Sequence, residues 1–387
     1  MTGLYIHVPF CKSRCIYCGF YSTTAVELRQ RYVDAVCREV GGFGVGGWRF
    51  EVGDLRFEDG DFGVGTIYLG GGTPSQLTTG QLHQLFDAIY IYNKVAKDAE
   101  VTIEVNPDDV TETFAQELGS LPVNRVSMGI QTFSDERLQF LHRRHSARQA
   151  MTAFDRLRKA GIQNISIDLM YGFPGETLTD WESDIASALT LGAEHLSAYC
   201  LMIEEDTPLH RLVKKDQALS DSLPDEELER QMYETLIDQL GAAGYEHYEI
   251  SNFAKPGYHS RHNSNYWNLT PYIGLGAAAH SYDGKACRRW NTADIRQYME
   301  AIEQGRPCYE EERLDEDTRY NDAVTVALRT RQGLDLTTLS EKHRTYCMQN
   351  AQRFIDDHLM ACTDNRLHLT RQGLFVSDMV MSELMMV

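Results

Sequence analysis

The stretch YIHVPFCKSRCIYCGF, residues 5–20, decides how the rest of this sequence is interpreted. It contains three cysteines, Cys11, Cys15 and Cys18, separated by three and then two residues, so the three thiolates can turn toward one centre on a loop. Structural zinc would need a fourth protein ligand, for which His7 is a candidate. An iron–sulfur cluster held by three cysteines would instead leave one iron open to an exogenous ligand. Three unligated buried cysteines are the remaining alternative.

The cysteine content and the N-terminus favour a protein of the reducing cytoplasm. Nine cysteines among 387 residues are too few for a disulfide scaffold, so a cluster of three suggests metal before disulfide. The N-terminus has neither a basic start nor a long apolar run, and no apolar stretch is long enough to cross a bilayer. These features predict a cytoplasmic protein without a membrane span.

The overall composition bounds the size of the core and the kind of partner. With 42% apolar residues the chain can bury a large core, and its length fits two domains or a barrel with an extension. The 56 acidic and 37 basic residues give a net charge of −19, which leaves little room for a basic face. Nucleic acid and anionic lipid are therefore disfavoured as partners.

Short β-rich runs alternate with amphipathic helical patterns through the first half of the chain. This alternation, with near-continuous apolar strands, predicts an α/β fold whose parallel sheet is covered by helices. Six such units fit either an open six-stranded barrel or a doubly wound sheet. The predicted strands are LYIHVPF (4–10), TIYLG (66–70), VTIEVNP (101–107), RVSMGIQ (125–131), ISIDLMYG (165–172) and HLSAYCLM (195–202), and two of the predicted helices lie at 79–95 and 147–161.

Most of the unusual polar residues follow the carboxyl ends of these strands. In open parallel sheets and barrels, ligands bind at that edge, so the sequence predicts one site there. The motif GGGTPS (70–75) after the second strand is either a close backbone approach to an anionic ligand or a plain tight turn. Beside the three cysteines, the residues at the other strand ends are Glu104, Asn106, Gln131, Asp168, Tyr171 and Tyr199.

Taken together, these motifs resemble the radical SAM superfamily, in its coproporphyrinogen-oxidase-like branch. The C-X3-C-X2-C triplet is highly specific in this context, and the resemblance covers nearly the whole chain except the glycine-rich stretch 41–65. The family fold is an open (β/α)6 barrel of partial TIM type, which agrees with the six predicted strands. The motifs are YIHVPFCKSRCIYCGF, GGGTPS, TIEVNP, MGIQTF, RRH and IDLMYGFPGET.

The resemblance implies a [4Fe-4S] cluster on the three cysteines and S-adenosylmethionine (SAM) on the fourth iron. It implies that Tyr5 packs near the cluster and SAM. It also implies a set of residues that line SAM. Gly71, Gly72 and Thr73 would line its methionine moiety, and Glu104, Gln131, Arg143 and Asp168 would make the polar contacts, with Asp168 on the ribose.

Two features of the sequence point to one branch of this family. Authentic coproporphyrinogen dehydrogenases carry a further cysteine where this chain has Phe20, and relatives with phenylalanine there resemble heme chaperones. The pattern HNXXYW, present as residues 262–267, is the suspected heme contact of that branch, which implies His262, Tyr266 and Trp267 as heme-binding residues. The alternative is that His262 and Trp267 simply close the open side of the barrel.

Motifs and composition divide the chain into three parts. Residues 1–210 form the radical SAM partial barrel, residues 211–309 a segment that closes it, and residues 310–387 a winged-helix-like domain with helices and a short hairpin. The glycine- and acid-rich stretch 41–65 is predicted to be a surface insertion, either a hairpin or partly disordered.

The function implied by the resemblance is that of a heme chaperone which binds a [4Fe-4S] cluster, SAM and heme. Its partners would be heme and heme-accepting proteins, with respiratory enzymes as candidates. The alternatives are an oxygen-independent coproporphyrinogen III dehydrogenase, a radical SAM methyltransferase that degrades heme, and a scaffold with structural zinc. The identity of the heme acceptor, the covalency of heme attachment and the oligomeric state are left open by the sequence.

Overall fold

A computed structural model describes residues 1–42, 51–52, 55–56 and 63–386. Its β-strands follow one another along the chain at positions that include all six predicted strands. They are β1 (Thr2–Val8), β2 (Glu51–Val52), β3 (Leu55–Arg56), β4 (Gly63–Gly71), β5 (Lys94–Val105), β6 (Arg125–Gln131), β7 (Asn164–Tyr171), β8 (His195–Cys200), β9 (Glu246–Glu249), β10 (Asn252–Ala254), β11 (Tyr272–Leu275), β12 (His280–Tyr282), β13 (Cys287–Asn291), β14 (Tyr309–Arg313), β15 (Leu334–Asp335), β16 (Met360–Thr363) and β17 (Arg366–Leu369).

The α-helices begin mostly at hydroxyl or carboxylate caps. Thr78, Ser146 and Thr177 each form a capping box with the residue three positions later, which satisfies two otherwise unpaired backbone donors. The helices are α1 (Arg29–Gly42), α2 (Thr79–Tyr92), α3 (Glu112–Leu118), α4 (Asp135–Phe140), α5 (Ala147–Lys159), α6 (Leu178–Leu191), α7 (Pro208–Lys215), α8 (Gln217–Asp221), α9 (Glu226–Ala242), α10 (Arg261–Trp267), α11 (Ile295–Glu303), α12 (Glu316–Leu328), α13 (Glu341–Asp356), α14 (Arg371–Leu374) and α15 (Ser377–Leu384).

The main sheet of the described residues contains twelve strands in the order β14-β13-β12-β11-β1-β4-β5-β6-β7-β8-β10-β9. Strands β1, β4, β5, β6, β7 and β8 pair in parallel, each with its neighbour in that order. Helices separate them along the chain, so this part of the sheet is the predicted open (β/α)6 partial barrel. The carboxyl ends of its six strands lie at one edge.

Both sides of the six-stranded unit are extended by strands that the sequence did not reveal. Strand β11 pairs in parallel with β1 and is followed by antiparallel β12, β13 and β14. On the other side, β10 and β9 continue antiparallel from β8. Most of these strands have three to five residues, which is too short for a clear alternating pattern.

The two faces of the parallel strands differ in polarity, and the expectation of near-continuous apolar strands is therefore wrong. In β1, Leu4 and Ile6 belong to the main apolar core. Tyr5 and His7, which alternate with them, face the lumen and are hydrogen-bonded to each other. Every second side chain of a strand thus points into a polar lumen, while the others pack under the helices.

The C-terminal part of the chain has a core of its own. Strands β15, β17 and β16 form a three-stranded antiparallel sheet, and the predicted hairpin is the β16–β17 pair. Apolar residues from α12, α13 and α15 pack with this sheet in a separate cluster. Helices followed by a hairpin and a final helix agree with the winged-helix-like prediction. Strand β14, at Tyr309–Arg313, still belongs to the large sheet, and the domain bounds stay predictions.

Two further expectations concern the insertion and the membrane. Within the predicted insertion 41–65, β2 and β3 pair antiparallel as a hairpin would, while residues 43–50, 53–54 and 57–62 lie outside the described part of the chain. Among the described helices, none has the length and apolar character that crossing a membrane requires.

Candidate functional site

The cysteine loop follows β1 and lies at the carboxyl edge of the sheet. Cys11, Cys15 and Cys18 are all half-buried free thiols. The Cys11 Sγ atom lies 3.5 Å from Thr73 Oγ1, and Arg143 Nη1 donates to Cys15 Sγ over 3.6 Å. Burial raises the pKa of the Cys11 thiol, while the Thr73 hydroxyl and the Arg143 guanidinium oppose this shift and favour the thiolate that ligates a metal.

The zinc alternative depends on a fourth protein ligand, for which His7 was the candidate. Among the described residues, no group of three cysteine, histidine or acidic side chains is gathered tightly enough to hold one metal ion. His7, the candidate fourth zinc ligand, has both ring nitrogens engaged, Nδ1 with Tyr5 Oη at 3.0 Å and Nε2 with the Tyr21 carbonyl at 3.0 Å. A four-iron cluster attaches each cysteine to a different iron, so its ligands stand further apart.

The glycines of GGGTPS allow β4 to end directly against β1. Gly71 has φ of +108°, and a Cβ atom there would overlap the His7 ring. A Cβ atom on Gly72 would lie 2.6 Å from the Pro9 carbonyl carbon. Only glycine fits these two positions, and the close approach places Thr73 beside Cys11. The motif is therefore a built part of the cysteine site rather than an isolated turn.

Glu104 lies inside the lumen below this loop. Its carboxylate accepts hydrogen bonds from Tyr68 Oη at 2.8 Å and from the Gly71 amide at 3.1 Å. Burial, helped by the nearby Asp168 carboxyl, raises its pKa to about 7 against the lowering effect of the Tyr68 hydrogen bond. The side chain is enclosed by protein but keeps some contact with solvent, so it lines an internal cavity.

Asp168 faces the same cavity from β7. Ser127 donates to Asp168 Oδ1 over 3.4 Å, and Ser197 supplies a second hydrogen bond. Burial raises the pKa of Asp168 to about 6, although both serine hydrogen bonds favour the charged form. Two carboxyl groups with raised pKa values that face one polar cavity are typical of a ligand site.

Arg143 and Gln131 complete the upper wall of the cavity. Arg143 Nη2 donates to Asn106 Oδ1 at 2.8 Å and to the Gly129 carbonyl at 2.6 Å, in addition to its contact with Cys15. Gln131 has φ of +72°, a left-handed conformation that is unusual for a residue with a side chain, and it follows a register shift in β6. The Arg143 guanidinium therefore lies between the end of β6 and Cys15, and Gln131 is the last residue of that strand.

Tyr5 lies deeper in the lumen than the cysteines. Its ring stacks on Tyr68 with centroids 6.3 Å apart, and its hydroxyl bonds to His7 Nδ1. Because His7 Nε2 must donate to the Tyr21 carbonyl, His7 Nδ1 is the acceptor and Tyr5 the donor. The lone pairs of the Tyr5 oxygen thus remain available toward the cavity.

Helix α10 places the HNXXYW residues at the opposite end of the lumen from the cysteines. His262 is 1% exposed, with Nδ1 bonded to Thr66 Oγ1 and Nε2 to Tyr266 Oη, both at 2.9 Å. The Arg329 guanidinium lies 5.3 Å from the ring centroid of half-buried Trp267, whose Nε1 has no hydrogen-bond partner among the described residues. In this arrangement His262 closes the floor of the barrel, and iron ligation by His262 would require Tyr266 to move away.

His280 differs from His262 in being accessible. It begins β12 opposite Trp290 of β13, and the two rings stack with centroids 6.1 Å apart. The side chain is exposed, and it is near enough to the buried His7 to lower the pKa of that residue. An accessible imidazole beside an indole ring is a suitable surrounding for a heme-iron ligand.

The structure brings the predicted SAM-contact residues together near the cysteines, whereas the HNXXYW residues lie at the opposite end of the lumen and two strand-end residues lie apart. Tyr171 turns outward onto Trp181, with ring centroids 5.1 Å apart, and Tyr199 is 44% exposed at the rim. Sequence reasoning missed the inner layer of the lumen. Polar residues at every second position of the strands could have revealed this layer. Its members are Thr66, Tyr68, Glu100, Thr102, Arg125, Ser127, Ser166, His195 and Ser197.

Similarity to known proteins shows the class of fold to which this chain belongs. The family model described as Radical SAM superfamily matches residues 5–188, which include the cysteine loop and every residue of the upper cavity. The solved structure of coproporphyrinogen III oxidase (HemN) from Escherichia coli, titled a radical SAM enzyme, covers 99% of this chain with a TM-score of 0.79 at 21% identity, over 89% of its own length. The fold is that of a radical SAM protein.

Relatives with higher sequence identity define the family. The heme chaperone HemW of Bacillus subtilis is 36% identical over 89% of this chain and 87% of its own length. Those of Lactococcus lactis and Escherichia coli are 31% and 34% identical, over 100% and 77% of this chain and 97% and 75% of their own lengths. The chain belongs to the HemW family of radical SAM proteins.

Proposed function

We propose that this protein is a heme chaperone that binds a [4Fe-4S] cluster, SAM and heme, and passes heme to acceptor proteins. The observation that carries the proposal is the match to heme chaperones over most of the chain, combined with a cysteine loop at the mouth of a polar lumen. A fold alone would not support this, because HemN shares it.

The upper cavity supports cluster and SAM binding by this chain. Cys11, Cys15 and Cys18 would hold the cluster, which when reduced supplies an electron for cleavage of the SAM sulfonium. The glycine loop leaves room for backbone contact with the methionine moiety. Around it, Arg143, Gln131, Glu104 and Asp168 offer the hydrogen bonds and charges that a zwitterionic ligand with a ribose requires.

The heme contact is the less constrained part of the proposal. Residues Tyr266 and Trp267 of α10 present aromatic surface, while the His262 nitrogens are both engaged. His280 is the accessible imidazole on the cysteine side of the lumen. The proposal therefore includes two candidate axial ligands, which single substitutions distinguish.

The test is heme binding followed by heme transfer. Protein reconstituted anaerobically with iron, sulfide and SAM is titrated with heme, and binding is followed in the Soret band. Heme-loaded protein is then mixed with the apo form of a heme-dependent respiratory enzyme, whose recovered activity is compared with that from free heme at equal concentration. Saturable binding with faster recovery supports the proposal, and absence of saturable heme binding would refute it.

The resemblance to HemN keeps an enzymatic alternative open. The same reconstituted protein, incubated with reductant and each tetrapyrrole, is examined by mass spectrometry of the tetrapyrrole. Loss of two carboxyl groups from coproporphyrinogen III would indicate a dehydrogenase. Methylation or opening of heme would indicate a heme-degrading methyltransferase.

A further inference from the structure

The inner face of β6 begins with a buried positive charge that the proposed cluster and SAM contacts do not use. Arg125 is 1% exposed and is among the largest fully buried side chains. Its Nε has no hydrogen-bond partner, and no residue in the described part of the chain forms an ion pair with its guanidinium. A buried guanidinium without a partner is unfavourable unless an anion or water meets it.

A second unpaired polar atom lies on the adjacent strand. Thr102 of β5 is the register partner of Arg125, and it is fully buried. Within the described part of the chain, the Thr102 Oγ1 atom also lacks a hydrogen-bond partner. Register partners on parallel strands point to the same face, so the guanidinium and the hydroxyl both face the lumen. Two adjacent buried polar groups without hydrogen-bond partners indicate a binding site for a polar ligand.

The carboxyl groups of the lumen around Arg125 are engaged elsewhere, and among them Glu100 accepts from the backbone amides of Arg261 and His262. Glu104 accepts from Tyr68 and the Gly71 amide, and Asp168 accepts from Ser127. Arg125 lowers the pKa of both carboxyls through space, without a direct ion pair to either. The donors of Arg125 therefore remain available to a ligand.

The position of Arg125 fixes which part of a ligand it would meet. Arg125, Ser127 and Gly129 alternate along the inner face of β6, and Gly129 is the carbonyl acceptor of Arg143 beside the cysteine loop. Four residues of strand correspond to about 13 Å. A ligand that starts below SAM and extends down the lumen would place its far end at Arg125.

We propose that Arg125 and Thr102 form a carboxylate subsite at the base of the lumen, occupied by a propionate side chain of a bound tetrapyrrole. The proposal rests on the proposed heme function and names the part of the ligand that this site recognises. A guanidinium pairs with a carboxylate through two parallel hydrogen bonds, and the Thr102 hydroxyl adds a third donor. Helix α10 closes the lumen just beyond this subsite. Its residue His262 is close enough to Arg125 that, after burial, the Arg125 charge also lowers the pKa of His262.

The test compares mesoporphyrin IX, a metal-free dicarboxylate, with its dimethyl ester. Binding to the reconstituted protein with SAM is followed by porphyrin fluorescence in the same detergent. We expect the wild type to bind the acid at least about tenfold more tightly than the ester. Arg125→Met should remove this preference, and Arg125→Lys should keep part of it. Arg156→Met is the matched control, because Arg156 lies on α5 and its side chain, among the described residues, bonds only to the Val110 carbonyl.

Each outcome is decisive for one of the two proposals. Saturable heme binding with equal affinity for acid and ester would overturn the subsite and leave the heme function intact. Absence of binding by heme and by both porphyrins would overturn the heme function and the subsite with it. A loss of SAM affinity in Arg125→Met, with the acid preference unchanged, would assign the charge to SAM instead. If Arg125→Met does not fold, Thr102→Val and the wild-type comparison decide.

Discussion

At the scale of single residues, the cysteine loop is the part of the candidate site that can be recognised from the sequence alone. The spacing of Cys11, Cys15 and Cys18 is a local property, so it needs no knowledge of the fold. The sequence could not show that Arg143, more than a hundred residues later, contacts Cys15, because that contact depends on how β6 ends. The role of His7 as a hydrogen-bonded support of Tyr5 was equally hidden.

The first residue-scale prediction concerns the cluster. Cys15→Ala leaves two thiol ligands, so we expect anaerobically reconstituted protein to lose most of its iron, sulfide and visible absorbance. Cys37→Ala, which changes a half-buried thiol on α1, should retain all three. Equal iron and sulfide content in Cys15→Ala and wild type would contradict the cluster assignment.

The second residue-scale prediction concerns the pH dependence of stability in the cluster-free protein. Burial raises the pKa of Glu104 to about 7 from an ordinary value of 4.5. The neutral carboxyl therefore stabilises the fold below pH 4.5, and this contribution is lost as the pH rises through 7. Glu104→Gln stays neutral, so its free energy of unfolding should gain up to about 3 kcal/mol relative to wild type between pH 4.5 and 8.

Denaturant unfolding of both proteins across this pH range measures that difference. Glu205→Gln, at an exposed position after β8, is the control and should run parallel to wild type. Parallel curves for Glu104→Gln and wild type would show that Glu104 is not held in an environment that disfavours its charge.

At the scale of elements, helix α10 bears on the two interpretations that the sequence left open for HNXXYW. The family resemblance implied a heme contact and the alternative was closure of the barrel, and in this seven-residue helix His262 is placed where it seals the lumen. The helix begins on the Glu100 carboxylate, which accepts from the backbone amides of Arg261 and His262. This long-range contact decides its placement, and no local pattern could have predicted it.

The element-scale prediction separates the two candidate heme ligands. Because Tyr266 and Thr66 occupy both nitrogens of His262, we expect His280→Ala to shift the Soret band of bound heme or weaken binding at least about tenfold. His262→Ala should mainly lower stability through loss of buried hydrogen bonds, by about 1–3 kcal/mol. The opposite pattern, with an altered Soret band only in His262→Ala, would show that α10 rearranges when heme binds.

At the scale of the whole molecule, the six predicted strands and their order emerged because each is a short, contiguous β-rich run that is separated from the next by helical patterns. The remaining strands of the twelve-stranded sheet were not predicted, since most of them are too short to carry a pattern. The lumen was missed for a different reason. Its polar layer comes from six separate strands, and only the register between them shows that Glu104, Arg125 and Asp168 share one cavity.

The last prediction is that this protein does not convert coproporphyrinogen III to protoporphyrinogen IX. Phe20, which is 69% exposed on the cysteine loop, stands where the dehydrogenases have a cysteine. A phenylalanine can pack against a ligand, but it cannot ligate metal or transfer protons. The measurement is anaerobic turnover with reconstituted cluster, SAM, reductant and substrate, beside an active dehydrogenase. We expect less than one turnover per protein, with the substrate mass unchanged.

An absence of decarboxylation can be attributed to Phe20 only if the other residues needed for the reaction are present. The assay is therefore repeated with Phe20→Cys. Exposure of Phe20 means that the substitution removes no core packing, and the fold should tolerate it with a stability change within about 0.5 kcal/mol. If both proteins bind SAM and neither decarboxylates the substrate, the absence of activity lies in the shape of the lumen rather than in one side chain. Multiple turnovers by the wild type would show that the HemN fold retains the dehydrogenase chemistry here and that the chaperone proposal is incomplete.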